Sequence, residues 1–350
     1  MEATNRAGDI PWMQRAIELG YRGVGTTSPN PPVGAVIVKD GCILGEGFHE
    51  KAGEPHAERR ALADARAKGN ADQLSGATIY VTLEPCSSYG RTPPCTEGII
   101  EAGISRVVYG AQDPDKRHQG RADALLRAAG IEVLAGVEKG ACEQLLRPWA
   151  YATINKRPWV LAKVASTLDG SMARKHTRWI SCPEALAHAH ELRLRSDAIL
   201  VGGETVRSDD PSLTIRHPLS EIPAKKQQPW RIVLTRDRST LPATAKLFTD
   251  AHADRTLVCE HVTYLPGLLS ELYSRYGIIN LMLECGGHLL RSFLEARLIN
   301  EWVQDIAPIL SGSGQPIFPG GYLTPEARLE ITNSQHCGVD HILRGMIRYD

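Results

Sequence analysis

The chain has 350 residues, enough for two domains with separate cores, and its 40 basic and 40 acidic residues cancel. With aromatics at only 6%, this balance argues against a nucleic-acid surface or an anionic-membrane surface and leaves any charged ligand to a local cluster. MEATNRAGDIPW lacks the basic start and apolar core of an export signal, no run approaches the roughly 18 apolar residues of a membrane helix, and the cysteines are too sparse for a disulfide scaffold, so the expectation is a cytoplasmic protein with reduced thiols.

Residues 11–25 read as a helix, GAVIVKDGCILGEGFH as a hairpin of two strands, and PHAERRALADARAKG as a helix. ATIYVTLEP is a strand running into the loop PCSSYGRTPPC. CTEGIIEAGISRVVYGAQDP predicts helix then strand, and ADALLRAAGIEVLAGV repeats the pair. Two prolines and two tryptophans in RPWAYATINKRPWV interrupt the periodicity, which marks a domain boundary near 147–157, drawn at 150/151. WVLAKVAST then starts afresh as a strand. ALAHAHELRLRSDAILVGG is helix then strand, RIVLTRD and TLVCE are strands, and INLMLECGGHLLRSFLEARLINEW is strand, glycine turn, helix. WVQDIAPIL reads as the final strand and HPLSEIPAKKQQP as the clearest surface loop. The alternation predicts two α/β domains, residues 1–150 and 151–350.

The two cysteines of PCSSYGRTPPC have a partner upstream, in PHAE. His56 and Glu58 open a predicted helix, and Cys86 and Cys95 flank the start of another. Three nitrogen and sulfur ligands, His56, Cys86 and Cys95, suit zinc and leave a fourth position open for water, which zinc activates at neutral pH. Glu58, two residues after His56, is placed to shuttle protons to a leaving group. H-x-E followed by P-C-x-x-C is the signature of zinc nucleobase deaminases, here with eight residues between the cysteines instead of two. The alternative is a capping histidine and two buried thiols. The widened loop carries Arg91, which reads either as a phosphate anchor or as a solvated surface arginine.

SPNPPVGAVIV, GEGFHEKAGEPHAE, TLEPC and GRTPPC together resemble the deaminase half of the bifunctional riboflavin-biosynthesis deaminase/reductase family. The resemblance implies a cytidine-deaminase-like three-layer α/β/α domain acting on a diamino-hydroxy-ribosylaminopyrimidine 5′-phosphate. It puts Asn30 and His49 on substrate contacts and Arg91 on the phosphate. Ser88 stands where the family usually has histidine, and Arg60 where it often has a second one. Neither position is a metal ligand, so the departures concern substrate contacts: either Ser88 weakens a phosphate or ribose contact, or Tyr89 or Arg60 takes it over.

In the second half, LVGGETVRSDDPSLTIR and ECGGH each place a glycine pair at the end of a predicted strand. Such pairs let backbone N–H groups approach an anion at a helix N-terminus, or simply make a tight turn. No G-x-G-x-x-G is present, so a Rossmann fingerprint is not claimed. Asp209 and Asp210 ahead of Pro211 suit either a site or a helix N-cap.

WVLAKVASTLDGSMA, RWIS, LRLRSDAILVGGETVRSDDPSLTIR, LECGG and IAPIL resemble the reductase half of the same family, in the same order. The resemblance implies a dihydrofolate-reductase-like α/β domain that uses NADPH to open the ribose to a ribityl chain. It carries Ala165, Trp179, Thr205, Asp209 and the turn Gly286, Gly287, His288, Leu289, Leu290, Arg291 and Ser292 onto cofactor contacts. Thr177, Arg193, Leu213, Arg216 and Glu284 fall on substrate contacts, with Lys163 on a strand facing the site, where it would polarise the sugar oxygen. Arg236 occupies a place where a small polar residue is commoner, and either meets the 2′-phosphate of NADPH or points to solvent. The expectation is an enzyme with one zinc and one NADPH site, a small-molecule ribotide substrate, and assembly as a dimer or tetramer. The rivals are a paralogue acting on another aminopyrimidine, a nucleic-acid-editing protein on the deaminase fold, and an inactive homologue.

Overall fold

The computed structural model describes the chain apart from residues 1, 90–92, 117, 173–178, 217–221, 224, 225, 313, 325 and 350, with backbone only for 2–6. Two compact units divide between Lys156 and Arg157.

The first unit runs α1 (Glu2–Tyr21), β1 (Gly34–Lys39), β2 (Cys42–Phe48), α2 (Ala57–Ala67), β3 (Thr78–Leu83), α3 (Cys95–Glu101), β4 (Arg106–Ala111), α4 (Arg121–Ala128), β5 (Glu132–Ala135) and α5 (Lys139–Asn155). Its sheet has the order β2-β1-β3-β4-β5, with β1 antiparallel to both neighbours and β3 to β5 parallel. The β1–β2 hairpin turns on Asp40 and Gly41, both left-handed at φ 50° and 74°, the conformation that suits a two-residue turn to strand twist. Helices close on both faces because the strands carry glycine where backbones meet. A Cβ at Gly34 would overlap the Ala16 carbonyl of α1, and one at Gly47, on the other face, would lie 2.6 Å from the Ala61 amide nitrogen of α2. The result is a three-layer α/β/α arrangement with one apolar core.

The second unit runs β6 (Trp159–Thr167), α6 (Pro183–Leu194), β7 (Ala198–Gly202), α7 (Gly203–Asp209), β8 (Trp230–Thr235), α8 (Lys246–Thr249), β9 (Thr256–Glu260), α9 (Leu265–Tyr276), β10 (Asn280–Leu283), α10 (Gly287–Glu295), β11 (Glu301–Ala307), β12 (Ala327–Cys337) and β13 (Asp340–Tyr349). The sheet order is β12-β13-β11-β6-β10-β7-β8-β9. The strands from β11 to β9 are parallel, so their C-terminal ends share one edge; β13 and β12 add an antiparallel hairpin. On β6 alternate residues divide between two layers. Val160, Ala162 and Val164 enter the core with Leu268 of α9 and Phe293 of α10, whereas Leu161 packs with Leu192 of α6, Met282 and Val303. Lys163 therefore points to the α6 face.

Several sequence-based expectations change here. The first helix begins at Glu2 and carries Pro11 inside it, ending at Tyr21 rather than residue 25. RPWAYATINK is no interruption: α5 runs through Pro148, so a cut at 150/151 would fall within a helix. Burial of Cys142, Leu145, Leu146 and Ala152 on either side of the proline outweighs its missing N–H. α7 and α9 were not foreseen, although Pro266 in its first turn and Gly277 at φ 65° mark both ends of α9. WVQDIAPIL is not the last strand, since β12 and β13 come after it. Asp209 does not open a helix: it is the last residue of α7, with Asp210 next in the left-handed region, at φ 41°. The Asp210 carboxylate instead accepts the amide of Lys246 (2.8 Å), at the start of α8. HPLSEIPAKKQQP lies largely outside the described residues. Among the described residues, no helix is long and apolar enough to cross a membrane.

Candidate active sites

Three chain positions far apart in sequence converge in the first unit. His56 is the N-cap of α2, Cys86 follows β3, and Cys95 is the first residue of α3. His56 Nδ1 lies 3.5 Å from Cys86 Sγ and 3.4 Å from Cys95 Sγ. Zinc–sulfur bonds of about 2.3 Å and zinc–nitrogen bonds of about 2.0–2.1 Å at a tetrahedral angle imply an N···S edge of about 3.5 Å. The donor set and its spacing therefore fit zinc, and all ligand atoms lie within 4.8 Å of one another. Both cysteines are free thiols. The hydrogen bond from Cys95 is the main cause pulling the Cys86 thiol down, and the same contact pushes Cys95 up. Metal binding takes both cysteines as thiolates.

Glu58 lies one position inside α2, 4% exposed, against Cys95. Burial is the main cause raising its carboxyl above the usual range, with the Cys86 charge adding to it, so it can carry a proton. Asn30 and His49 come to the same place. Asn30 Nδ2 is 3.0 Å from His49 Nε2, and His49 Nδ1 is 3.2 Å from the Pro55 carbonyl, which accepts from it. That network makes the ring neutral, in agreement with the lowering that burial imposes on it. The His49 ring stands edge-on to His56, centroids 5.3 Å apart. Arg91 lies outside the described residues.

Arg60 and Tyr89 are both engaged with nearby acids. Arg60 binds Glu50 at 2.6 Å and Glu54 at 2.7 Å, tying down the segment between β2 and α2. The Tyr89 hydroxyl donates to Glu97 at 2.7 Å. Two supporting residues escaped the sequence reading. Glu84 is buried and accepts the amides of Asp113 and Ala122, both at 3.3 Å, which fixes the loop after β4 beside the cluster. Arg59 donates to the Pro94 carbonyl at 3.1 Å, just before Cys95. An acid in TLEPC and the first arginine of HAERR were the available signals.

In the second unit Lys163, Arg193 and Glu284 come together on the α6 face. Arg193 grips both Glu284 carboxylate oxygens at 2.6 Å and donates to the Thr214 carbonyl at 3.2 Å. The last contact brings Leu213 and Arg216 alongside. Leu213 has φ 51°, a left-handed conformation that costs a branched residue about 1–3 kcal/mol, with its side chain buried. Arg216 donates to Thr214 Oγ1 at 3.3 Å. Lys163 meets Asp305, an acid the sequence reading passed over, at 3.0 Å.

Both glycine pairs open helices. Gly202 is the N-cap of α7 (φ −85°) and Gly286 that of α10 (φ −69°). A Cβ at Gly287 would lie 2.5 Å from the Ile317 carbonyl oxygen. Thr205 sits in α7, while Ala165 and Arg236 stand near the C-terminal ends of β6 and β8, on the edge where open parallel sheets bind ligands. Arg236 is exposed, Trp179 is 52% exposed, and Asp209 is exposed at the far end of α7. Within the α10 turn Leu290 is buried in the core, Arg291 donates to the carbonyls of Pro319, Gly320, Gly321 and Tyr322, and Ser292 donates to the His288 carbonyl. Their side chains are committed, so this turn offers a ligand mainly backbone at Gly286, Gly287 and His288. Thr177 lies outside the described residues.

The family model for the RibD C-terminal domain matches residues 158–343, and that for the cytidine and deoxycytidylate deaminase zinc-binding region matches residues 7–111. The chain belongs to the RibD family. The riboflavin biosynthesis protein RibD of Synechocystis is 37% identical over 97% of this chain and 96% of its own. The RibD structure from Acinetobacter baumannii is 36% identical, with a TM-score of 0.89 over 98% of this chain and 99% of that one. The diaminohydroxyphosphoribosylaminopyrimidine deaminase/5-amino-6-(5-phosphoribosylamino)uracil reductase of Thermotoga maritima is 32% identical, with a TM-score of 0.88 over 99% and 100%. This RibD chain is a bifunctional enzyme of riboflavin biosynthesis, a zinc-dependent deaminase joined to an NADPH-using reductase. Its two folds are cytidine-deaminase-like and dihydrofolate-reductase-like, and the paralogue reading is not favoured.

Proposed function

We propose that this chain hydrolyses the ring amino group of 2,5-diamino-6-ribosylamino-4(3H)-pyrimidinone 5′-phosphate, then reduces the ribosyl group to give 5-amino-6-ribitylaminouracil 5′-phosphate. The carrying observation is the convergence of His56, Cys86 and Cys95 on one point with buried Glu58 against it. We assign deamination to the unit ending at Lys156 and reduction to the unit beginning at Arg157.

His56, Cys86 and Cys95 would hold the zinc. Zinc, when bound, supplies Lewis-acid activation of water. Glu58 takes the proton of the attacking water and returns it to the departing ammonia. Asn30 and neutral His49 orient the pyrimidine, and Arg91 receives the phosphate. If so, Cys86→Ala lowers the metal content from about one zinc per chain to near zero by elemental analysis, because two ligands do not hold the ion. Reduction of deaminated substrate continues in that variant.

In the second unit NADPH, when bound, supplies hydride. Gly286, Gly287 and His288 offer backbone to its phosphates. Ala165, Trp179, Thr205, Asp209 and Arg236 complete the cofactor contacts, with Leu289, Leu290, Arg291 and Ser292 shaping the turn. Thr177, Arg193, Leu213, Arg216 and Glu284 hold the ribotide. Lys163 donates a proton to the ring oxygen as the sugar opens.

We further propose a homo-oligomer, dimer or tetramer, in the cytoplasm. The support for assembly is β12, an 11-residue edge strand exposed on both faces along most of its length, an edge that proteins usually cover. The support for location is the thiolate pair, which binds metal only when reduced.

Mass spectrometry of the purified protein with the diaminopyrimidine ribotide tests the reading. A gain of about 1 Da is expected without NADPH, as oxygen replaces an amino group. A further gain of about 2 Da is expected with it, as hydride and proton add. An unchanged ribotide would count against the assignment.

A further inference from the structure

Lys163 stands between two acids, and the structure shows which one it meets. Glu284, just after β10, is taken by Arg193, which binds both its oxygens. On the other side β11 lies parallel to β6, with Asp305 in register with Ala165 and Val303 with Lys163. Lys163 Nζ lies 3.0 Å from Asp305 Oδ2, and His188 Nδ1 of α6 lies 3.7 Å from Oδ1. The Asp305 side chain is fully buried and that of Lys163 is 10% exposed.

We propose that Asp305 is a positioning residue of the reductase, holding the Lys163 ammonium where it can reach the sugar, with His188 closing the other side of the carboxylate. The proposal rests on the reading of Lys163 as the residue that acts on the ribose.

A purely structural role explains the arrangement poorly. β6 and β11 are already paired from Glu301 to Ala307, so the strands need no ionic tie. Among the described residues neither Asp305 oxygen has a well-aligned hydrogen-bond donor, so the close approach of Lys163 at 3.0 Å and of His188 compensates its burial. An apolar pair of similar size would serve stability as well or better. A buried carboxylate on such terms calls for another reason. A lysine stem has many rotamers, and a proton donor works only when its nitrogen is held in reach of the acceptor. Asp305 supplies that hold from the strand beside Ala165, while Arg193 keeps Glu284 from competing. Burial pushes the Asp305 carboxyl up, but His188 and Lys163 pull it further the other way, so it remains the anion the role needs.

The test uses the full chain, fed deaminated ribotide and NADPH. Asp305→Asn is expected to lower the reductase kcat by about tenfold to a hundredfold, with both KM values within about twofold of the parent. Lys163→Met lowers it at least as far, and the double variant is no slower than Lys163→Met alone, because both changes remove one device. NADPH binding followed by fluorescence reports that the second unit is folded. Should Asp305→Asn fail to bind NADPH, the uncharged pair of Lys163→Met with Asp305→Leu carries the test and must match Lys163→Met. A raised ribotide KM at unchanged kcat would make Asp305 a substrate contact, and additive losses would make it independent of Lys163. Either result overturns the proposal. Full activity in Lys163→Met would instead remove the reading beneath it.

Discussion

Replacing Glu58 by glutamine lowers deamination by about a hundredfold to ten-thousandfold, the range that a positioned acid–base group supplies. Zinc content and reduction of pre-deaminated ribotide stay at parental levels. The reasoning is local. Glu58 lies in the first turn of α2, behind the N-cap His56, and is buried at 4% exposure. Glutamine keeps its volume and an acceptor oxygen toward Cys95, so the ligand cluster retains its shape. It cannot take a proton from water or return one to ammonia. Ammonia release, elemental zinc analysis and NADPH oxidation on deaminated ribotide read the three quantities separately. Loss of zinc along with activity would make Glu58 a structural support of the cluster, and parental deamination would remove it from the mechanism.

Arg193→Met destabilises the second unit by about 3–5 kcal/mol, the cost of leaving one partner of a buried pair uncompensated. Glu284 lies just after β10 with 15% of its side chain exposed, and Arg193 covers both its oxygens at 2.6 Å. Burial by itself would raise the Glu284 carboxyl, but the charge and hydrogen bonds of Arg193, aided by Lys163 and His190, hold it below the usual range. Adding Glu284→Gln to Arg193→Met should recover most of the stability, because the orphaned charge is gone. It should not recover reduction, because the ribotide loses both contacts. The pH dependence has a definite sign. A carboxyl depressed in the folded state contributes stability that is present above the ordinary carboxylate range and lost as pH falls through its folded value. The parent should therefore lose stability on acidification by a step that the double variant lacks. Denaturant unfolding across acidic pH measures both effects. Equal stability of Arg193→Met and the double variant would show that Glu284 is not held as a buried anion.

The first site was legible because its chemistry is carried by short segments at element starts. PHAE, TLEPC and PPC each hold a ligand where a helix or loop begins, and residue type alone limits what three such donors bind. Asn30 and His49 came from resemblance, and their hydrogen bond to one another was not visible in sequence. The ion pairs of Arg60 with Glu50 and Glu54 were not visible in sequence, because both acids lie in a loop whose path no periodicity records. In the second unit Arg193 and Glu284 were both identified, but as separate contacts to substrate instead of partners to each other.

Sequence by itself determined the alternation of helix and strand, the zinc-binding residue types, the acid beside them and the glycines that open α10. These depend on neighbours within a turn or two, where propensity, capping and periodicity act. The course of α5 through Pro148, the strands β12 and β13, and the pairing of Lys163 with Asp305 were decided only by tertiary structure. α5 is held by apolar residues on both sides of its proline, and β12 is exposed on both faces and so lacks an alternating pattern. Lys163 and Asp305 meet because β11 lies beside β6, and strand neighbours are chosen by burial of whole faces, which no local window of sequence contains.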